Sequence, residues 1–278
     1  MVCISSACLK TDNILDSVDK LKSITKNIEL SGGSKKKDAL FSKIIRKNEE
    51  DSLNFLVHSY FPPPEKDFVL NFADTSSKTR NFIIDSMKYI DALDIPYYSI
   101  HAGFKQDFSI ENELLVNGIN SFPLENIYEN IKWYKANYSQ KLALENLFPN
   151  SQKDSCFLSH IDDIVNFLEL DKSTFLLLDL GHLKISAKYY NFNYLKAVNL
   201  LFEKYIDRII EIHLSENDSF SDEHKIIQSD SIQYMIIEKF KNEIVKYNIN
   251  LVIEARGYSL SELKICYELL NQIIGIEK

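Results

Sequence analysis

Eight short apolar segments recur along the chain, and each is followed by a longer segment in which polar and apolar residues alternate periodically. The apolar segments are 2–6, 27–30, 53–58, 97–101, 141–145, 174–179, 208–213 and 250–254. Between them, segments such as 13–24, 79–93 and 231–247 have the spacing of apolar residues that is typical of helices. Strands that alternate with helices predict βαβ units and a parallel sheet.

This alternation predicts an α/β fold, a (β/α)₈ TIM barrel. Eight units in 278 residues match the usual size of that barrel. A doubly wound open sheet is the alternative, but no G-x-G-x-x-G follows a predicted strand and no G-x-x-x-x-G-K-[ST] occurs. No internal linker or low-complexity tract interrupts the pattern, so we expect a single domain over residues 1–278. The basic run at 35–37 is interpreted as the start of a solvated helix.

The charge balance and the termini narrow the class of protein. The chain has a net charge of -8 and therefore lacks the electrostatic footprint of a general nucleic-acid-binding protein. No basic segment followed by a long apolar stretch opens the chain, and no run approaches the length of a membrane span, so secretion and membrane insertion are not expected. The four cysteines show no C-x-x-C or disulfide-like spacing, which favours reduced thiols in a cytoplasmic protein.

Six successive predicted strands end on a residue type that binds metal ions. The carboxyl ends of barrel strands converge on one mouth, where catalytic residues lie. Glu145 and Glu254 follow apolar runs that would draw them into low-dielectric surroundings, where an ionised carboxylate needs a cation or a dense shell of hydrogen bonds. A divalent metal ion would meet that need for the whole group. From the third strand to the eighth, these residues are His58, His101, Glu145, Asp179, His213 and Glu254.

Three further residues extend this group. In the segment FLLLDLGH, Asp179 lies at the exit of the sixth strand and His182 follows three positions later. Asp222 and His224 follow the seventh strand, and the D-x-H spacing places two side chains on one side of an extended segment. The alternative is a local hydrogen bond for each histidine and a turn for Asp179. His160, far along a loop, is interpreted as structural.

These motifs resemble the xylose isomerase-like TIM-barrel superfamily, which includes sugar-phosphate isomerases and epimerases and endonuclease IV. The most specific segments are FLVHSYFPPP, YYSIHAGF, LALENL, LLLDLGHL, IIEIHLSENDSFSDEH and LVIEARG, and the resemblance spans nearly the whole chain. In endonuclease IV, nine residues hold three zinc ions. The resemblance implies that their counterparts here are His58, His101, Glu145, Asp179, His182, His213, Asp222, His224 and Glu254.

The sugar epimerases of the superfamily imply a smaller site. In those enzymes one metal ion is held by four residues, and the two glutamates among them also serve as the acid–base pair. The matching positions here are Glu145, Asp179, His213 and Glu254.

The sequence departs from both groups of relatives. Endonuclease IV has a longer, Gly- and Arg-bearing stretch before the D-x-H pair, and its DNA-penetrating loops are not clearly matched apart from Tyr60. The epimerases place a substrate-holding arginine a few residues after the seventh-strand histidine, where this chain offers Ser219 and Phe220. Arg256 is the nearest cation for an anionic substrate, and its alternative is an ion pair with a neighbouring carboxylate.

The resemblance and the residues together predict a metal-dependent isomerase or epimerase of a small sugar or sugar phosphate, acting through an enediolate. Glu145 and Glu254 would exchange protons, and His182 would hydrogen-bond a substrate oxygen. The alternative is a zinc-dependent phosphodiesterase that acts at abasic sites in DNA. The nine-residue set favours that alternative, whereas the acidic or neutral mouth loops favour the sugar. A barrel that only stores or senses a metal ion is the third alternative.

The expected cofactor is a divalent metal ion, zinc or manganese, with one to three ions per chain. The expected partner is a small carbohydrate; the charge of the mouth loops argues against nucleic acid, and no membrane association is expected. The sequence leaves the oligomeric state open.

Overall fold

A parallel eight-stranded sheet forms the centre of the molecule in the computed structural model, which describes residues 1–32, 39–64, 68–111, 114–149 and 155–275. The basic run at 35–37 lies outside the described residues. Strands β5 and β6 pair antiparallel with each other, apart from this sheet. In chain order the strands are β1 (Val2–Ser5), β2 (Asn27–Leu30), β3 (Asn54–Val57), β4 (Tyr97–His101), β5 (Gln106–Glu111), β6 (Leu114–Ser121), β7 (Lys141–Glu145), β8 (Phe175–Asp179), β9 (Ile209–Leu214) and β10 (Asn250–Ile253).

The sheet closes on itself. Its strand order is β3-β2-β1-β10-β9-β8-β7-β4. The two terminal strands meet through a parallel bridge between His58 and Ser99, and the Ser59 N–H donates to the Ser99 carbonyl oxygen at 2.9 Å. This closure confirms the predicted (β/α)₈ barrel and excludes an open doubly wound sheet. The strands predicted at 27–30, 97–101 and 141–145 are confirmed residue for residue, three others differ by one residue at one end, and those predicted at 53–58 and 208–213 differ by one residue at both ends.

Helices surround the barrel. The helices predicted at 13–24 and 79–93 are observed at Ile14–Leu21 and Ser77–Ala92. The segment 231–247, which was predicted as one helix, forms two helices. The break is at Phe240, which has a φ of -105° and a ψ of 17° and stacks on Phe202 with ring centroids 4.3 Å apart. In chain order the helices are α1 (Ile14–Leu21), α2 (Leu40–Asp51), α3 (Ser77–Ala92), α4 (Leu124–Asn137), α5 (Ile161–Leu170), α6 (Leu180–Tyr190), α7 (Tyr194–Tyr205), α8 (Ile232–Lys239), α9 (Lys241–Lys246) and α10 (Leu260–Ile273).

The interior of the barrel contains a small apolar cluster below its carboxyl end. Leu56, Tyr97 and Val252 belong to this buried cluster. Residues two apart on a strand share a face, so His58 and Glu254 follow Leu56 and Val252 on the inward face. The alternation of the strands therefore places His58 and Glu254 at the carboxyl end of the barrel. Among the described residues, no helix is long and apolar enough to cross a membrane.

Candidate metal centre

The carboxyl end of the barrel brings together the nine residues predicted as metal ligands. Seven of them are buried, and His101 and Asp222 are partly buried. Their ring nitrogens and carboxylate oxygens form overlapping groups, in several of which all the candidate atoms lie within 4.8 Å of one another. The structure thus supplies the proximity that the prediction requires, and metal binding by these residues stays a prediction.

Glu145, at the end of β7, lies among four histidine rings. Its Oε2 is 3.1 Å from His58 Nε2 and 3.2 Å from His101 Nε2. Its Oε1 is 3.1 Å from His182 Nδ1 and 4.0 Å from His213 Nδ1. Burial alone would raise the pKa of Glu145, but His101 and His58 hold it well below its usual range. Glu145 is therefore ionised. With His58 and His101 it forms the first group of candidate ligands, and it also faces His182 and His213.

The second group consists of Asp179, His213 and Glu254. His213 Nδ1 lies 3.2 Å from Glu254 Oε2. Burial would raise the pKa of Glu254, but the charge of His213 holds it well below its usual range. Burial and the nearby Glu145 raise the pKa of Asp179 to about 6, against the opposing effect of His182. The carboxylates of this group therefore differ in proton affinity although they share one mouth.

The direct passage from β8 into α6 explains the segment FLLLDLGH. Asp179 is the N-cap of α6, and its Oδ1 accepts from the His182 N–H at 2.7 Å. The cap thereby holds the other carboxylate oxygen in the mouth. A Cβ on Gly181 would lie 2.8 Å from the Ser215 carbonyl oxygen, so only glycine allows α6 to approach the end of β9 this closely.

The D-x-H pair forms a third group with His182. Asp222 Oδ2 is 2.8 Å from His224 Nε2 and 3.6 Å from His182 Nε2. The loop that carries the pair is closed at its base by an antiparallel bridge between Glu216 and Lys225. The two side chains meet as predicted, but the extended backbone expected there is wrong, because His224 is left-handed with a φ of 49°.

Protein acceptors fix one ring nitrogen on two of these histidines. His58 Nδ1 lies 3.1 Å from Ser99 Oγ, whose hydroxyl donates to the Val57 carbonyl oxygen, so the ring nitrogen is the donor in this contact. His182 Nδ1 lies 2.9 Å from the Asn146 carbonyl oxygen, which can only accept. The Nε2 atom of each ring therefore carries the lone pair that a metal ion needs. For His182, this nitrogen faces the D-x-H pair.

Buried polar atoms without a hydrogen-bond partner test whether a metal ion fits. An unpaired buried polar atom costs about 1–3 kcal/mol, so several of them in one mouth require an explanation. Nitrogen and carboxylate oxygen donors are the ligands that zinc and manganese bind, and the donor set therefore fits a divalent ion. In the described part of the chain, the unpartnered atoms of the site are Glu145 Oε2, Asp179 Oδ2, His213 Nδ1, Asp222 Oδ1 and His224 Nδ1.

A cavity of about 690 Å³ opens above the three groups. This volume is in the range of small-molecule binding sites, about 300–1,000 Å³. Aromatic rings of Tyr60, Phe104 and Phe148 line it, and the centroid of the Phe148 ring is 4.7 Å from that of His182. The cations that line the cavity are Lys10 and Arg256.

The comparisons with known sequences give one distant relative. No protein-family model matches the chain. An uncharacterised protein of Methanocaldococcus jannaschii is 25% identical over 278 residues, and the match covers 97% of each chain.

Solved structures share the fold over nearly the whole chain. A D-tagatose 3-epimerase-like protein matches with a TM-score of 0.68 and 18% identity, over 99% of this chain and 97% of its own. A putative xylose isomerase from Rhodospirillum rubrum matches with a TM-score of 0.66 and 12% identity, over 98% of each chain. An AP endonuclease of family 2 from Brucella melitensis matches with a TM-score of 0.63 and 14% identity, over 94% of this chain and 96% of its own. These similarities show that the chain shares the (β/α)₈ barrel fold of these proteins.

Ser219 and Phe220, which stand where the epimerase pattern has an arginine, do not line the described cavity. The Phe220 side chain is 70% exposed. Arg256 does line it and is exposed, and no ion pair joins its side chain to a described carboxylate, so the ion-pair alternative is not observed. His160 caps α5 by accepting from the Asp162 N–H at 3.1 Å, which agrees with the structural role predicted for it.

Two carboxylates of the site were missed by sequence reasoning. Glu29 on β2 and Glu211 on β9 are fully buried inside the barrel. Their oxygens lie 2.9 Å and 2.8 Å from His213 Nε2, on the side of the ring opposite the mouth. Neither residue ends its strand, so the pattern of metal-binding residue types at the strand ends does not include them. The E-x-H spacing in IIEIH was the available signal, since residues two apart on a strand share a face.

Proposed function

We propose that the protein is a divalent-metal-dependent isomerase or epimerase of a small sugar or sugar phosphate. The observation that carries the proposal is the placement of Glu145 and Glu254 beside the same nitrogen, His213 Nδ1, at 4.0 Å and 3.2 Å, on the floor of a cavity of about 690 Å³. A pair of carboxylates beside one metal position, under a cavity of this size, suits proton transfer on a small polyhydroxylated ligand.

The residues that would hold the ion are Glu145 and the three members of the second group, Asp179, His213 and Glu254. When bound there, a zinc or manganese ion would polarise a substrate carbonyl and lower the pKa of the adjacent C–H. A coordinating imidazole must be neutral, and His213 Nδ1 is the ring nitrogen that faces the mouth, since Glu29 and Glu211 lie against Nε2.

The two glutamates would perform the proton transfers. Both have a pKa held below its usual range by neighbouring histidines, so both are carboxylates able to accept a proton at neutral pH. In an isomerisation, one glutamate would take the proton next to the substrate carbonyl, become protonated and return that proton to the neighbouring carbon. In an epimerisation, the second glutamate would start in its protonated form and deliver its proton to the opposite face of the same carbon, so that one carboxyl gains a proton as the other loses one. Tyr60, Phe104 and Phe148 around the cavity would exclude water from the enediolate.

Two roles are predicted for His182, as a metal ligand and as a hydrogen-bonding partner of a substrate oxygen. Its Nδ1 donates to the Asn146 carbonyl oxygen, so only Nε2 remains to bind a metal ion or a substrate oxygen. That nitrogen faces Asp222 at 3.6 Å. We therefore assign His182 to the third group as a ligand and not to the substrate.

The second candidate function is cleavage of DNA at abasic sites. The third group favours it, because an epimerase that uses one metal ion has no need of His182, Asp222 and His224 as ligands. The lining of the described cavity opposes it, since Lys10 and Arg256 are its cations and phosphate recognition along a DNA strand needs many more.

Solvent deuterium exchange separates the two functions. In a panel of sugars and sugar phosphates, the zinc- or manganese-loaded protein is expected to exchange a C–H hydrogen, and Glu254→Gln is expected to lower that rate about 10²–10⁴-fold by removing a proton acceptor. A duplex with an abasic analogue is assayed in parallel. Glu216→Gln is the matched control, because Glu216 follows β9 but pairs with Lys184 at 2.8 Å. Salt-sensitive strand cleavage without any exchange would reverse the assignment.

Metal stoichiometry tests the third group. Replacing both Asp222 and His224 with alanine is expected to remove or loosen one metal equivalent while the barrel stays folded, because both side chains lie in a loop outside the strands. Glu223→Gln in the same loop is the control, since its carboxylate pairs with Lys225 at 2.7 Å. Elemental analysis after dialysis measures the loss. Unchanged metal content together with unchanged activity would show that the pair is only a surface loop feature.

A further inference from the structure

Two buried carboxylates lie beneath the candidate metal centre, inside the barrel. Glu29 and Glu211 are both 0% exposed, and they approach one atom, His213 Nε2, at 2.9 Å and 2.8 Å. Burying a carboxylate costs several kcal/mol unless it is paired, so two of them around one nitrogen form a structured feature of the barrel. Neither residue is among the nine predicted ligands.

Polar side chains also lie on the side of Glu211 that faces away from the mouth. The Asn250 amide donates to the Tyr97 hydroxyl oxygen at 2.8 Å. Burial and the nearby Glu211 raise the pKa of the Tyr97 hydroxyl, which belongs to a small buried cluster with Leu56 and Val252.

The two ring nitrogens of His213 have different surroundings. Nε2 faces two carboxylates and is the nitrogen that carries a hydrogen in the neutral ring. Nδ1 faces the mouth, where it is buried without a hydrogen-bond partner although Glu254 Oε2 is 3.2 Å away. A buried lone pair beside a carboxylate is unfavourable by itself and becomes favourable when a cation lies between them.

We infer that Glu29 and Glu211 are positioning residues that hold His213 in the Nε2–H tautomer and aim its Nδ1 at the metal ion. This inference rests on the proposed metal centre. A carboxylate behind a metal-binding histidine fixes the orientation of the ring and increases its basicity, and loss of such a partner lowers metal affinity about 10–100-fold.

The presence of two acceptors for one N–H predicts redundancy. Either single replacement by methionine, which is similar in length but accepts no strong hydrogen bond, leaves the other carboxylate in place and is expected to weaken cobalt binding only slightly. The double variant Glu29→Met/Glu211→Met is expected to weaken it about 10–100-fold. The double glutamine variant keeps an amide oxygen at each position and is expected to recover much of the affinity.

The test combines cobalt titration with nitrogen NMR of the histidine rings. Cobalt affinity and the visible spectrum of the cobalt-loaded protein are measured for the wild type, the methionine and glutamine variants, and Glu216→Gln as a control that should match the wild type. In the zinc-loaded wild type, the His213 ring is expected to show a protonated Nε2. The chain has 6 histidines, and a His213→Gln variant assigns the signal.

The outcomes separate this inference from the proposed function. A wild type that binds neither cobalt nor zinc would overturn the proposed metal centre and the inference with it. A wild type that binds metal with His213 protonated at Nδ1, or a double methionine variant with unchanged affinity and spectrum, would overturn the inference alone. Complete loss of one equivalent from the double methionine variant, with the other ions unaffected, would make the carboxylates ligands and would also contradict it.

Discussion

Replacing Glu145 with glutamine is expected to weaken binding of the tightest metal ion more than about 100-fold, because even residues that only orient a ligand contribute 10–100-fold. Glu145 has the largest expected effect because its two oxygens face four histidine rings. The glutamine keeps the volume of the side chain and removes its charge. Equilibrium dialysis followed by elemental analysis measures the change, and circular dichroism checks that the barrel is retained.

Glu216→Gln is the matched control for this variant. Glu216 also follows a barrel strand, but it contacts Lys184 and the Gln233 N–H. It is therefore expected to bind metal like the wild type. Equal metal content in Glu145→Gln and the wild type would contradict the assignment of Glu145 as the shared ligand.

Saturation with zinc is expected to raise the midpoint of thermal unfolding by roughly 8 °C. At a free zinc concentration about 1,000 times the Kd, a ligand that binds only the folded state adds about 4 kcal/mol to the free energy of unfolding. For a domain of this size, each kcal/mol shifts the midpoint by about 2 °C. Differential scanning calorimetry with and without zinc measures the shift, and a chelator should reverse it.

The same experiment on Glu145→Gln separates specific binding from zinc bound elsewhere. The variant is expected to lose most of the shift at the zinc concentration that saturates the wild type. An equal shift in both proteins would place the stabilising ion outside the mouth.

The barrel was predictable from sequence because each of its strands is a short apolar run bounded by a helix with clear periodicity. The strands 97–101 and 141–145 were predicted to the residue for that reason. The hairpin of Gln106–Glu111 and Leu114–Ser121 was not, because it lies within a long loop and belongs to no βαβ unit. The break between α8 and α9 was missed because it depends on packing of Phe240 against Phe202, which periodicity does not encode.

The sequence predicts those residues of the candidate site that lie at the end of a strand or directly after it. Asp179 and His182 are examples, since the strand delivers the first and the helix that it caps delivers the second. Glu29 and Glu211 lie within strands, where a single charged residue in a short apolar run usually faces solvent on one side of a sheet. Only closure of the barrel places both of them against His213.

The reaction class was not predictable from the ligand set. The nine residues match the pattern implied for endonuclease IV, and four of them also match the pattern implied for the sugar epimerases. The proposal of a sugar substrate depends instead on the size of the cavity and on the arrangement of its cations, which among the described residues are Lys10 and Arg256. Such arrangements come from loop conformation, which the strand and helix pattern does not determine.

Anomalous X-ray scattering from crystals grown with zinc tests the central claim most directly. Data collected on both sides of the zinc absorption edge locate the ions independently of any assumed ligand. We expect one to three peaks in the mouth, with one between Glu145, His213 and Glu254, at the ligand distances of about 2.0–2.3 Å that zinc adopts. A map with no anomalous peak among these side chains, from protein saturated with zinc, would contradict the metal centre on which the proposed function depends.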